Sequence, residues 1–83
     1  MKHTVDWTDD ALSMLAAVWV WSPDRKAVTA AQAEIDRLLA DDPTGHSQPV
    51  SEGLFAIDVE PLRVQFEKVP PRTIRVVSVS HRP

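Results

Sequence analysis

The stretch EGLFAIDVEPLRVQFEKVPPRTIRVVSVSHR, residues 52–82, decides the fold because it predicts three consecutive β-strands. Apolar side chains alternate with other residues through 54–59 and again through 62–68, the period of two that is typical of a strand with one buried face. Residues 73–80 are rich in β-branched side chains and carry apolar residues on both faces, so we predict a central strand covered on both sides. Prolines separate the three runs, because proline cannot donate a hydrogen bond to a sheet.

Two helices are predicted before these strands. Thr8 and the two aspartates that follow it form a helix start, because threonine caps a helix and acidic residues suit its positive end. Apolar residues at helical spacing extend this helix to about Trp21, and a second helix is predicted over 23–40. The polar segment 41–49 predicts a loop, and residues 3–7 favour a short strand.

The element order is therefore strand, helix, helix, strand, strand, strand. It predicts one α+β domain over residues 1–83, with a helical hairpin packed on one face of a small, mostly antiparallel sheet. The other face stays partly open. Strand alternation places Arg63, Gln65 and Glu67 on that face, with Asp58 from the preceding strand, and we expect the functional site there.

Charge is divided unevenly along the chain. The net charge of −3 argues against a protein that binds nucleic acid nonspecifically. Residues 1–42 carry four Lys or Arg against eight Asp or Glu, whereas residues 62–83 carry five Lys or Arg against one Glu. The predicted sheet is therefore the basic part of the molecule.

Composition excludes several kinds of site and location. The sequence has no cysteine, which rules out disulfides, thiolate nucleophiles and cysteine zinc sites. His3, His46 and His81 share no ligand spacing, so we predict neither a metal nor a cofactor. The apolar run 14–21 is too short to span a bilayer, and the first residues lack the apolar stretch of a signal peptide. These features predict a cytoplasmic protein without a membrane partner.

Five short motifs occur in this chain in the same order and spacing as in one protein family. They are Val5-Asp6-Trp7-Thr8 with Ala11 and Leu15, Ile35-Asp36-Arg37-Leu38-Leu39 followed by Asp42-Pro43, Glu52-Gly53-Leu54, Leu62-Arg63-Val64, and Ile74-Arg75-Val76 leading to Val79-Ser80-His81-Arg82. On these motifs the chain resembles the RelE/ParE superfamily of bacterial type II toxin-antitoxin toxins over nearly its whole length. The resemblance implies a partner antitoxin that wraps the toxin surface.

The resemblance also implies site residues. By motif position, Arg63 matches the arginine at the start of the third strand that acts on the scissile phosphate, and Arg82 matches the basic residue just after the last strand. His81 lies where several members place a histidine or lysine. In such a site Arg63 and Arg82 supply positive charge and His81 transfers a proton. Glu52 and Glu67 are alternative candidates for the base.

Two activities occur in the family that the chain resembles. RelE-like members cut mRNA on the ribosome without a metal, and ParE-like members poison DNA gyrase. RelE-like nucleases carry lysines on the second strand where this chain has Ala56 and Asp58, and many have a tyrosine beyond the last strand, where this sequence ends at Pro83. We predict a toxin-like protein, specifically a metal-independent mRNA endonuclease. The alternatives are a noncatalytic interaction protein with a degenerate toxin fold and a gyrase inhibitor.

Two tryptophans on the first helix indicate a surface that binds a partner. Trp19 and Trp21 are two residues apart, so on a helix they point to nearly opposite sides and cannot both enter one small core. We expect at least one of them to face outward, although burial against the second helix is the simpler arrangement. Exposed tryptophan is enriched at the centres of protein interfaces.

Overall fold

The computed structural model describes residues 2–82, which form two helices and five strands. In chain order they are β1 (Thr4–Trp7), α1 (Asp9–Trp21), α2 (Arg25–Asp41), β2 (Gln48–Ser51), β3 (Leu54–Val59), β4 (Leu62–Val69) and β5 (Thr73–His81). The predicted α+β class is confirmed, since a helical hairpin packs on one face of a mostly antiparallel sheet. The predicted domain limits, Met1 and Pro83, lie outside the described residues.

The sheet has the strand order β1-β5-β4-β3-β2. β1 runs parallel to β5, and the other neighbouring strands are antiparallel. The prediction of a loop through residues 41–49 is wrong at its end, because Gln48 pairs with Ala56 and Pro49 with Phe55. Proline is tolerated there since β2 is an edge strand, which exposes one side of its backbone to solvent.

The hydrophobic core lies between the helices and one face of the sheet. Leu62, Val64 and Phe66 of β4 are completely buried on this face, as the alternation in the sequence predicts. The core residues from the helices are Ala11, Leu15, Val28, Ala31, Ile35 and Leu39. Trp7 is half-buried at the edge of this core, where its Nε1 donates a hydrogen bond to Oδ1 of Asp36 at 2.6 Å.

The first helix begins at the cap that the sequence predicts. The side-chain oxygen of Thr8 accepts a hydrogen bond from the backbone nitrogen of Ala11 at 3.1 Å. The same hydroxyl donates to the carbonyl oxygen of Val76 at 2.9 Å, so the cap also ties α1 to β5. Among the described residues, neither helix combines the length and the apolar character that a bilayer crossing requires.

β5 contains a β-bulge at Val77. In the register between β4 and β5, Gln65 lies opposite Ser78 and Phe66 lies opposite Val76, so Val77 has no partner on β4. An extra residue of this kind shifts the alternation of side chains by one position for the rest of the strand.

The bulge explains why apolar residues occupy both odd and even positions of β5. Ile74, Val76 and Val79 are all buried against the helices, although strict alternation would place Val79 on the opposite side. Ser78 and Ser80 then face away from the core. The prediction that this strand is covered on both faces is therefore wrong, and the strand at the centre of the five is β4.

Truncating Phe66 tests where the core lies. Because its side chain is completely buried, Phe66→Ala should lower the free energy of unfolding by about 3–5 kcal/mol. Trp21→Ala is the matched control, since this larger ring is 85% exposed and its loss should change stability by less than about 0.5 kcal/mol. Urea denaturation followed by circular dichroism measures both. Equal losses in the two variants would contradict the assignment of the core.

Candidate functional site

The open face is the side of the sheet that neither α1 nor α2 covers. As predicted, Asp58, Arg63, Gln65 and Glu67 lie on it. Three rows of side chains cross the strands on this face: Asp58, Arg63 and Ser80; Gln48, Ala56, Gln65 and Ser78; and Leu54, Glu67, Arg75 and Asp6. The first row carries the candidate site.

One carboxylate holds two of the predicted site residues. Nη1 of Arg63 lies 3.2 Å from Oδ2 of Asp58 and 3.3 Å from its Oδ1, and Nη1 of Arg82 lies 3.1 Å from the same Oδ2. We call Arg63 and Arg82 the arginine pair. Their side chains are 27% and 52% exposed, so a ligand can reach them. Two guanidinium groups around one oxyanion form a site suited to a carboxylate or a phosphate.

Strand pairing and the chain end bring the arginine pair together. Asp58 and Arg63 face each other across the β3–β4 hairpin. Arg82 directly follows β5, and its backbone nitrogen donates a hydrogen bond to the carbonyl oxygen of Pro61 at 2.7 Å. The backbone of Arg82 is thus anchored beside the start of β4, within reach of Asp58.

His81 lies on the opposite side of the sheet. It pairs in register with Leu62, whose side chain is buried under the helices. His81 lines a groove of about 310 Å³ together with Val18 and Trp21 at the carboxyl end of α1 and Pro23 just after it. The structure therefore brings Arg63 and Arg82 together and separates His81 from them. A proton-transfer role for His81 stays a prediction that this arrangement does not support.

The two acidic candidates for a base also lie away from the arginine pair. Glu67 is four residues from Arg63 along β4, a distance of about 13 Å at the rise of a strand. Its Oε1 accepts a hydrogen bond from Nη1 of Arg75 at 3.2 Å. Glu52 lies in the turn before Leu54. Because Leu54 is opposite Glu67, Glu52 lies even farther from the arginine pair than Glu67 does. Within residues 2–82 no three His, Asp or Glu side chains group closely enough to hold a metal ion.

A polar hollow adjoins the arginine pair on the open face. It has a volume of about 230 Å³ and is lined by His46, Ser47, Gln48, Ala56 and Asp58. The sequence predicts no functional role for His46. No pattern in the sequence reveals the hollow, because His46 precedes an edge strand that was predicted as loop and reaches Asp58 only through the pairing of β2 with β3.

The charges of the open face balance. Arg63, Arg75 and Arg82 are matched by Asp58 and Glu67, which form ion pairs with them, and by Asp6, which lies beside Arg75 in the sheet. The basic excess of the last strands is therefore not concentrated there. Lys68 faces the helix side, where its amine lies 4.9 Å from the centre of the Phe55 ring, and Arg72 lies in the β4–β5 turn.

Both tryptophans of α1 face solvent. Trp21 is 85% exposed and Trp19 is 42% exposed, so neither ring is fully buried, although Trp19 lies against the start of α2. The guanidinium of Arg25 lies 4.7 Å from the centre of the Trp19 ring and its Nε donates to the Trp19 carbonyl oxygen at 3.2 Å. Other exposed apolar residues of the same helix are Leu12, Met14 and Val20.

Comparison with solved structures identifies the architecture. A chain of the RelBE2 toxin-antitoxin complex from Mycobacterium tuberculosis superposes with a TM-score of 0.80 at 20% identity, covering 99% of this chain and 100% of that one. A double mutant of Escherichia coli toxin RelE in the free state gives a TM-score of 0.70 at 12% identity, covering 98% and 84%. This chain has the fold of the RelE toxins.

The RelE-like fold also resembles part of a larger protein. TrmO from Pseudomonas aeruginosa has a TM-score of 0.62 at 22% identity, covering 95% of this chain but only 35% of its own. No protein-family model matches the sequence, and no curated protein matches it significantly. At these identities the RelE likeness establishes the architecture, and the function has to be argued from the side chains.

Replacing Asp58 tests how the arginine pair is held. Asp58→Asn keeps the size of the side chain but removes its charge, so both guanidinium groups should become more mobile in ¹⁵N relaxation of their Nε–H signals. The free energy of unfolding should fall by about 1 kcal/mol or less, because partly exposed ion pairs contribute little. Glu67→Gln is the matched control and should mobilise Arg75 alone. Unchanged Arg63 and Arg82 signals in Asp58→Asn would contradict the shared contact.

Proposed function

We propose that this chain is the toxin-like component of a bacterial type II toxin-antitoxin system and acts as a metal-independent mRNA endonuclease. The proposal is based mainly on the convergence of Arg63, on β4, and Arg82, just after β5, on one carboxylate of the open face. The fold shared with E. coli toxin RelE supports it.

The arginine pair suits the electrostatic part of RNA cleavage. When the 2′-oxygen releases its proton to water and attacks the phosphorus, the bond to the 5′-oxygen breaks and the leaving oxygen takes a proton from water. Negative charge accumulates on the equatorial oxygens during this step. Two guanidinium groups placed in advance around an oxyanion stabilise this charge without further reorganisation. Asp58 occupies that place in the free protein, so a phosphate oxygen has to displace its carboxylate before Arg63 and Arg82 can bind the substrate.

One observation favours a second candidate function, a noncatalytic protein that keeps the toxin fold and binds a partner. Asp58 forms ion pairs with both members of the arginine pair, and the charges of the open face as a whole balance. A face without net charge attracts RNA weakly from a distance. The two candidates differ in whether the isolated protein cleaves RNA.

Expression of the chain without a partner separates the candidates. We expect the wild-type protein to arrest bacterial growth and to produce new 5′ ends within mRNA, detected by primer extension. Arg63→Ala and Arg82→Ala should each relieve the arrest and reduce cleavage about 100-fold, the effect of removing one preorganised donor to a developing oxyanion. Arg37→Ala is the matched control, because Arg37 is paired with Glu34 on the exposed face of α2.

Three other outcomes are informative. A wild-type chain that is harmless at high expression would contradict the endonuclease and leave the noncatalytic candidate. Growth arrest with DNA damage and intact mRNA would indicate a gyrase inhibitor. Growth arrest that persists in both Arg63→Ala and Arg82→Ala would show that the arginine pair is not the site.

We propose the exposed carboxyl end of α1, where Trp19 and Trp21 lie on opposite flanks of the helix, as the surface that an antitoxin wraps. Its apolar side chains would be buried by an apolar segment of the antitoxin, and Arg25 beside Trp19 would pair with an acidic residue at the flank of that segment. The fold shared with a chain of a toxin-antitoxin complex supports a partner of this kind.

Alanine substitutions test this surface. The probe is the product of a short reading frame next to the gene, co-expressed with this chain. We expect it to bind, and Trp21→Ala to weaken binding at least about 10-fold in calorimetry, as is typical of a tryptophan at the centre of an interface. Arg37→Ala, twelve residues beyond Arg25 on the exposed face of α2, is the control and should change affinity less than about threefold. Full affinity in Trp21→Ala would contradict the assignment of the surface.

A further inference from the structure

We infer that the polar hollow beside the arginine pair is a nucleobase subsite, which holds the base of the nucleotide whose phosphate Arg63 and Arg82 bind. The inference rests on the proposed function and adds the part of the substrate that the arginine pair does not contact. Asp58 connects the hollow with the arginine pair, because this residue forms one wall of the hollow and also forms ion pairs with both guanidinium groups.

The dimensions of the hollow suit one base. Its volume of about 230 Å³ is below the roughly 300–1,000 Å³ of pockets for drug-sized ligands. Ala56 forms the floor with a short, buried side chain, and Gln48 lies opposite it on β2. Gln65, the other neighbour of Ala56, accepts a hydrogen bond from Ser78 at 3.1 Å, which draws its side chain toward β5 and away from the hollow.

The lining offers hydrogen-bonding groups at the edge of a base. The Asp58 carboxylate only accepts hydrogen bonds, whereas the amide of Gln48 both donates and accepts. The hydroxyl of Ser47 donates to the Pro43 carbonyl oxygen, so toward a ligand it presents only its oxygen as an acceptor. His46 at the rim is exposed and can stack on the base.

This set of groups favours bases that carry an exocyclic amine. Adenine, cytosine and guanine each present an NH₂ group that donates to a carboxylate or an amide oxygen, while uracil presents only its ring N–H and two carbonyl oxygens. Uracil offers a single ring N–H on its pairing edge to the two acceptors on Asp58 and Ser47, whereas an exocyclic amine offers two N–H groups. We therefore expect adenine and cytosine to bind better than uracil.

Binding of nucleoside 3′-monophosphates tests the subsite. The probes are 3′-AMP, 3′-CMP, 3′-UMP and inorganic phosphate, titrated into the full chain and followed by NMR chemical shifts, which report weak binding. We expect 3′-AMP and 3′-CMP to bind about 10-fold more tightly than 3′-UMP or phosphate, the discrimination typical of a matched base edge.

Gln48→Ala and His46→Ala should remove this advantage and leave the affinity for phosphate unchanged. Both residues are exposed, so the variants should fold. Gln32→Ala on α2 is the control and should retain the advantage.

The possible failures are distinguishable. If the nucleotides bind no more tightly than phosphate, or if Gln48→Ala and His46→Ala keep the preference for an amine-bearing base, the subsite is overturned while the arginine pair stands. If Arg63→Ala and Arg82→Ala leave the affinity for phosphate unchanged, the proposed phosphate site fails instead, and the inference that depends on it fails with it. Absence of binding by all four probes overturns both.

Discussion

The β-bulge at Val77 is the constraint on which the candidate site depends, because it sets which side of the sheet each later residue of β5 faces. Before the bulge, Ile74 and Val76 pack under the helices; after it, Val79 returns to the same side. The core-facing positions of β5 are thus apolar both before and after the bulge. The shift also places His81 with the helices, so that Arg82 and not His81 accompanies Arg63.

A single carboxylate then determines the chemistry of the open face. Asp58 is bound to both arginines, and in the free protein it fills the position that an oxyanion ligand would take. Because the face as a whole is neutral, it attracts a polyanion only weakly over long distances, and an oxyanion ligand would have to exchange locally with the Asp58 carboxylate. In the site that we propose, this exchange would favour a ligand that also contacts the neighbouring hollow, since a base held there would raise the affinity of the attached phosphate.

The parts of the fold that depend on local patterns could be predicted from the sequence. The alternation through 54–59 and 62–68 gives β3 and β4 with the correct buried faces, and the Thr8 cap marks the start of α1. The likeness to RelE toxins was likewise visible in short motifs, and the fold confirms it. Because Arg63 alternates with the buried Leu62 and Val64, its position on the open face was also predictable.

The remaining features depend on contacts between distant residues. The bulge at Val77 follows from pairing with β4, and a run of valines and serines does not reveal where an extra residue is inserted. The edge strand β2 contains a proline, and its pairing with β3 overrides the local preference of Gln48 and Pro49 for a loop. The contact of Arg82 with Asp58 joins residues 24 positions apart, so local patterns could not predict it.

Cysteine labelling along β5 tests the bulge, and with it the whole arrangement of the site. The sequence contains no cysteine, so each single substitution reports its own exposure to a maleimide reagent. Ser80→Cys should react in the folded protein, whereas Val79→Cys, at a position only 6% exposed, should react at least about 100-fold more slowly because labelling there requires local opening. A strand without the bulge would give the reverse, with Val79→Cys reactive and Ser80→Cys protected, and would remove Arg82 from the face that carries Arg63.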